Sequence, residues 1–178
     1  RKANTANIGL EHTDIATNER GAIVVNDTCE SSVPGVYAVG DVNGGPQFTY
    51  VSLDDFRIVF GALTGNGHYT LKDRKNIPYT TFLTPPLSRV GLTEEDAINQ
   101  GYTIKTKEML VATMPRAHVN DYLKGAFKIV VDADNDLILG ATLYSQGAEE
   151  LINLIKMAMD NNIPYTYFKN QIFTHPTM

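Results

Sequence analysis

Two hydrophobic rhythms divide this chain. In the first third, apolar residues come in short clusters with polar spacers. Residues 1 to about 20 are polar, with a sparse pattern at Ile8, Leu10 and Ile15. Ala22 to Val25 is predicted as a strand, bounded by Gly21 and by Asn26-Asp27. The turn pair Pro34-Gly35 launches a second, apolar strand over Val36 to Val39. Asn43-Gly44-Gly45-Pro46 breaks the chain. Leu53, Phe56, Val59, Phe60 and Leu63 then recur at the spacing of one helix face. That helix is predicted to stop at Thr64-Gly65-Asn66-Gly67. The charged run Lys72-Asp73-Arg74-Lys75 reads as a linker, or else as a small basic patch.

From about Asn76 the rhythm becomes that of an α+β fold, an antiparallel sheet flanked by helices. Strands are predicted over Tyr79 to Leu83, Leu87 to Val90, Ile104 to Ala112, Ala126 to Val131 and Leu137 to Leu143. Asp134-Asn135-Asp136 turns the last two into a hairpin. Thr93 has the makings of an N-cap, with Glu94-Glu95-Asp96 at the positive end of a helix that ends at Gly101. Ala148 to Asn161 carries a wide apolar stripe of Leu151, Ile152, Leu154, Ile155, Ala158 and Met159. Met157 and Met159 read as core filler rather than metal ligands. The boundary between the two rhythms suggests domains of 1–71 and 72–178.

Composition narrows the functional classes. The 178 residues are 43% hydrophobic and 20% charged, ordinary values for a globular protein. A net charge of −5 and no basic stripe argue against nucleic acid as a partner. No apolar run approaches the ~20 residues of a membrane span, and the polar start lacks a signal peptide's apolar region. A cytoplasmic protein is the expectation, a lone cysteine fitting a reducing compartment. The single cysteine, Cys29, excludes an internal disulfide or redox dithiol. It lies in a polar stretch with no positive neighbour in sequence and reads as incidental. The absence of an initiator Met is expected of a fragment.

Two short motifs carry chemistry. In Ser32-Val33-Pro34-Gly35-Val36-Tyr37-Ala38-Val39-Gly40-Asp41-Val42, Gly40 lets backbone approach a ligand. Asp41 is placed at a strand's carboxyl end, where open α/β sheets hold ligand groups. A carboxylate there can accept bonds from sugar hydroxyls, or can simply cap the next turn. Near the other terminus stands Thr174-His175-Pro176-Thr177. Proline restricts the residue before it and an X-Pro bond can be cis. Histidine exchanges protons near neutral pH. By itself this is also the composition of an ordinary loop His before a turn.

Together, in this order and at about this separation, the motifs resemble the carboxyl-terminal part of the FAD-dependent pyridine nucleotide-disulfide oxidoreductases, the group of glutathione reductase, dihydrolipoamide dehydrogenase and mercuric reductase. The likeness spans essentially the whole chain. Arg1-Lys2-Ala3-Asn4-Thr5 resembles the exit from an NAD(P)H domain. Gly21 to Asn26 and Val33 to Asp41 resemble the return into an FAD domain. Asn76-Ile77-Pro78, Phe82, Pro85-Pro86 and Val90 to Glu94 resemble the opening of the interface domain. Gln47 to Asp55 and Thr174 to Met178 look most like the reactive-chlorine-responsive, mercuric-reductase-like branch.

The resemblance implies roles. Asp41, beside Gly40, would bind the ribityl or pyrophosphate region of FAD. Thr49, Tyr50 and Val51 would open a helix aimed at the flavin's N1–O2 edge, whose negative charge on reduction the helix end stabilises. Phe48-Thr49-Tyr50 is bulkier than the family's usual small or Pro-containing version. His175, its peptide bond to Pro176 expected cis, would reach the partner subunit's site in a homodimer and shuttle a proton for a dithiol or a small-molecule oxidant. The Glu that holds it in the family is expected beyond Met178. NAD(P)H would be the hydride donor. The family's Cys pair and Gly-rich FAD fingerprint are absent, so this chain alone is expected to bind FAD weakly or not at all and to be inactive. It would then act as a dimerisation module, and its first 70 or so residues are expected to be less ordered or to form a partial sheet.

Overall fold

The computed structural model describes residues 2–178, so Arg1 of the Arg1–Thr5 segment lies outside the described residues. The chain divides into two compact units, the first ending at Arg74 and the second being Lys75–Met178.

The first unit is built around one helix, α1, Thr49–Thr64. The strands expected at Ala22 to Val25 and Val36 to Val39 do not form a ladder. The chain makes isolated bridges instead, Thr17 to Ile23, Val25 to Ser31 and Glu30 to Tyr37. The reason is local: successive residues pair with different segments. Ile23 N–H donates to the Val42 carbonyl at 2.9 Å, Val24 to Ala16 at 3.0 Å and Asn26 to Glu30 at 2.8 Å.

Helix α1 forms where the periodicity placed it, and Gly65 ends it in a left-handed C-cap. Its buried side differs from the apolar stripe, however. Val51, Asp55 and Ile58 face inward, whereas Leu53, Phe56, Phe60 and Leu63 are exposed. The run at Lys72 to Lys75 spans the boundary between the two units, as a linker does, and its first three residues are ordered. Leu71–Asp73 is a short 3-10 turn closed by a Thr70/Asp73 capping box, and Arg74 is held in ion pairs with Asp54 and Asp55.

The second unit is a five-stranded, wholly antiparallel sheet with helices, the fold class the sequence predicts. Its strands are β1 (Tyr79–Thr81), β2 (Leu87–Gly91), β3 (Ile104–Leu110), β4 (Ala126–Asp132) and β5 (Ile138–Tyr144), in spatial order β1-β2-β5-β4-β3. The β4–β5 register slips between Val130 and Val131. Helix α2, Glu94–Asn99, starts at a full capping box: Asp96 N–H donates to Thr93 Oγ1 at 2.9 Å, and Thr93 N–H to Asp96 Oδ2 at 3.2 Å.

Two short helices, α3 (Pro115–Val119) and α5 (Tyr165–Lys169), were not expected from the periodicity. Helix α4, Ala148–Asp160, lays Ala148 and Ile152 on Val90, Ala141 and Leu143, with Phe127, Leu151, Ile155 and Met159 packed around them. Leu154 and Met157 are exposed, so Met157 is not core filler. No helix among the described residues is long and apolar enough to cross a membrane.

Candidate functional site

The Gly-Asp motif folds as a tight 3-10 turn, Gly40–Asn43, following the extended Val39. Asp41 is therefore in a turn rather than at the end of a buried strand. Of the expected strand, only Ala38 is buried; Val36 and Val39 are exposed. Gly40 is at φ +72°, and a Cβ there would meet Ser52 Oγ at 2.6 Å. Glycine at this position is what lets the turn lie against the first turns of α1.

The amino end of α1 has no side-chain cap. Phe48 is its N-cap residue, and its carbonyl accepts from Val51 N–H at 3.0 Å and Ser52 N–H at 3.1 Å. Such an end presents backbone donors and the positive pole of the helix dipole. Phe48 and Tyr50 stack at 5.1 Å, their planes 11° apart. Partial burial pushes the Tyr50 phenol above its ordinary range. Val51 is buried, whereas Thr49 and the Asp41 residue itself are exposed.

A polar cluster joins turn and helix. Asp55 is buried, and its Oδ2 accepts from Gly40 N–H at 2.7 Å and from Asn43 Nδ2 at 2.9 Å. Arg74 Nη2 pairs with Asp55 Oδ1, and Arg74 Nε with Asp54 Oδ2 at 2.7 Å. Cys29, fully buried, feels this cluster. Burial first, then the charge of Asp55, push its thiol up to about 11, with Arg74 opposing. Arg74 is thus the positive neighbour that the local sequence did not show.

The sequence pattern left Asp55, Asn43 and Arg74 unmarked. A signal was present: Val51, Asp55 and Ile58 are spaced i, i+4, i+7, which sets a carboxylate on an otherwise apolar helix face. Its partner, Arg74, stands far along the chain and is invisible to a local window.

His175 belongs to the other unit. The His175–Pro176 bond is cis, as expected, and Thr84–Pro85 is cis as well. His175 is exposed, on a bend closed by Thr177 Oγ1 donating to the Thr174 carbonyl at 3.0 Å. The bend is held on both sides. Phe173 stacks on Phe168 at 6.3 Å, and Met178 packs against the buried cluster of Val111, Met114 and Ala117. Of the remaining histidines, His12 and His68 are exposed, and exposed His118 on α3 lies 2.8 Å from the Ala112 carbonyl through Nε2. Among the described residues, no three His, Cys, Asp or Glu side chains converge as a metal site.

Comparison with known proteins gives concordant results. Residues 77–178 match the family described as pyridine nucleotide-disulphide oxidoreductase, dimerisation domain, and residues 1–55 match pyridine nucleotide-disulphide oxidoreductase. The chain is 48% identical, over its whole length, to the probable pyridine nucleotide-disulfide oxidoreductase RclA of Escherichia coli K12, covering 40% of that protein. It is 35% identical over 89% of its length to a mercuric reductase of Staphylococcus aureus, covering 29% of it. The solved Cu(II) complex of the HOCl-induced flavoprotein disulfide reductase RclA from Escherichia coli superposes with a TM-score of 0.96 at 47% identity, over 100% of this chain and 41% of that one. The chain thus spans less than half the length of these relatives.

Proposed function

The chain belongs to the pyridine nucleotide-disulphide oxidoreductases, and on that premise we propose that it supplies part of the flavin site, the dimer interface and a proton-shuttling histidine to an FAD- and NAD(P)H-dependent reductase. The observation that carries the reading is the turn Gly40–Asn43 seated against a helix end without a side-chain cap. These residues fit FAD. Asp41 offers an exposed carboxylate for ribityl hydroxyls, and the Thr49-Tyr50-Val51 end of α1, whose Val51 N–H already donates to the Phe48 carbonyl, turns the positive pole of the helix dipole toward the electron-rich N1–O2 edge. FAD, when bound, supplies two-electron relay between a nicotinamide and a dithiol.

The chain's own residues then have distinct tasks. Asp41 orients by accepting hydrogen bonds. Thr49, Tyr50 and Val51 stabilise negative charge through backbone dipoles rather than side-chain acids. The stacked Phe48 and Tyr50 set an aromatic surface beside that helix end. His175, exposed on a braced bend, takes and returns a proton at its imidazole in the site of the partner subunit of a homodimer. The E. coli relative's description as a HOCl-induced disulfide reductase, with its Cu(II) complex, favours a disulfide or an oxidising metal ion as the substrate. Cytoplasmic residence belongs to the same reading.

The test separates the half-reactions in a flavoprotein that carries this chain. With His175→Ala, reduction by NAD(P)H proceeds at close to the wild-type rate. The following step, which needs proton transfer at the dithiol, slows by roughly two to four orders of magnitude. Stopped-flow absorbance follows both. Equal slowing of the two, or an unchanged second step, returns His175 to the role of a loop residue.

A further inference from the structure

The polar cluster on α1 deepens that reading. Two donors, Gly40 N–H and Asn43 Nδ2, converge on one oxygen of Asp55 from the two ends of the Gly40–Asn43 turn. Asp41 lies between these anchors. Asp55 itself stands on the helix whose first turn, Thr49 to Val51, forms the other half of the proposed flavin site. One buried carboxylate thereby ties both halves together. Arg74 engages its remaining oxygen and Asp54 beside it, so the acid is held from both sides. A serine at 52 adds a fixed wall, since Gly40 has no room for a side chain against it.

We infer that Asp55 is a positioning residue for flavin binding: it sets the placement of Asp41 relative to the amino end of α1, with Arg74 locking its carboxylate. It touches no part of the proposed cofactor and acts only through the turn. The inference rests on the reading of Asp41 and α1 as flavin-binding.

The experiment uses a full-length flavoprotein carrying this chain, stripped of FAD and titrated with FAD by flavin fluorescence. Asp55→Asn puts an amide N–H₂ where either Arg74 or the two turn donors need an acceptor. It is expected to weaken FAD binding on the order of tenfold, the loss of a charge-assisted bond. Asn43→Ala removes one of the two turn anchors, leaves the Arg74 pair in place, and is expected to weaken FAD binding in the same direction by less. The control is the substitution at Ile58, to Val or to Ala, that best matches the melting-temperature loss of Asp55→Asn. Ile58 is buried on the same helix and carries no polar atom for the turn's anchors, so its variant should bind FAD within about twofold of wild type.

Equal weakening by the Ile58 control would reduce Asp55 to a merely structural role and overturn the inference. So would wild-type affinity in both Asp55→Asn and Asn43→Ala. If Asp55→Asn yields no folded protein, Asn43→Ala decides, wild-type affinity in it again being the overturning result. A wild-type protein that takes up no FAD would remove the flavin reading of Asp41, and this inference with it.

Discussion

Arg74 closes on Asp55, and both side chains are withdrawn from water, the arginine 10% exposed and the aspartate 1%. Removing one partner of such a pair strands the other charge in the interior. Arg74→Ala is expected to cost the first unit about 3–5 kcal/mol, read as a lower urea midpoint. The ion pair of Lys72 with Asp27 lies in water, and Lys72→Ala should leave that midpoint unchanged. An equal effect of the two substitutions would mean that Arg74 is not buried as described.

Gly125 stands where no side chain fits. Its φ is +132°, and a Cβ there would lie 1.8 Å from the Tyr144 carbonyl oxygen. Its own carbonyl accepts from Val111 N–H at 3.0 Å, so the strand cannot simply back away. Gly125→Ala is expected to destabilise the second unit by about 3 kcal/mol or more. Gly65 is also at positive φ, but a Cβ there would meet nothing within 4 Å, and its substitution by Ala should cost about 1–2 kcal/mol. Denaturant unfolding of the two variants compares them directly.

Cys29 should be a slow thiol. Its pKa rises from an ordinary 9.0 to about 11, burial being the larger cause and the Asp55 charge the next. At neutral pH the thiolate fraction is then about a hundredfold below that of a free cysteine. Labelling by a disulfide reagent at pH 8 should be slow in the native protein and fast in urea. The linkage has a definite sign. Well below pH 9 the thiol is protonated both folded and unfolded, and it contributes no slope. Between about 9 and about 11 the unfolded chain releases a proton that the folded chain keeps, so stability falls as pH rises. Cys29→Ser or Cys29→Ala should flatten that part of the profile.

On the proposed homodimer, the exposed apolar side chains of α4 are the place to look for the seam. Leu154 is 51% exposed and Met157 61%, one helical turn apart and outside the core that α4 makes with the sheet. A Lys at either position should shift the sedimentation coefficient of the second unit toward a monomer while its circular dichroism stays unchanged. If both charged variants sediment as dimers, the interface lies elsewhere.

The second unit was legible because its signals are local. Alternating apolar residues, the Thr93 cap and the Asp134-Asn135-Asp136 turn each declare themselves within a few positions, and the five strands fall within a residue or two of their expected bounds. Helices α3 and α5 escaped because five residues are too few for a periodicity to show. Pro115 at the first helical position of α3 and Pro164 at the N-cap of α5 were the available cues.

The first unit was read less well. Leu53, Phe56, Phe60 and Leu63 mark a helix correctly but not its inward face, since that face is organised by a buried acid whose partner is remote. The same remoteness hid the ion pairs that Arg74 makes from within the linker run. Around the site, Gly40 and Asp41 could be singled out, but not the carboxylate that seats their turn.

The bracing of the chain end has a consequence for inheritance. His175 is exposed, yet the bend that carries it is pinned by Phe173 on Phe168 and by Met178 on the Val111, Met114 and Ala117 cluster. A change such as Met114→Ala, buried and away from the bend's exposed histidine, would slacken the bend and, if His175 shuttles protons as proposed, be recorded in a genetic screen as a defect of the histidine. On the proposed shuttle role of His175, sequence drift in that cluster would be constrained twice, once by packing and once by the aim of a residue it never touches.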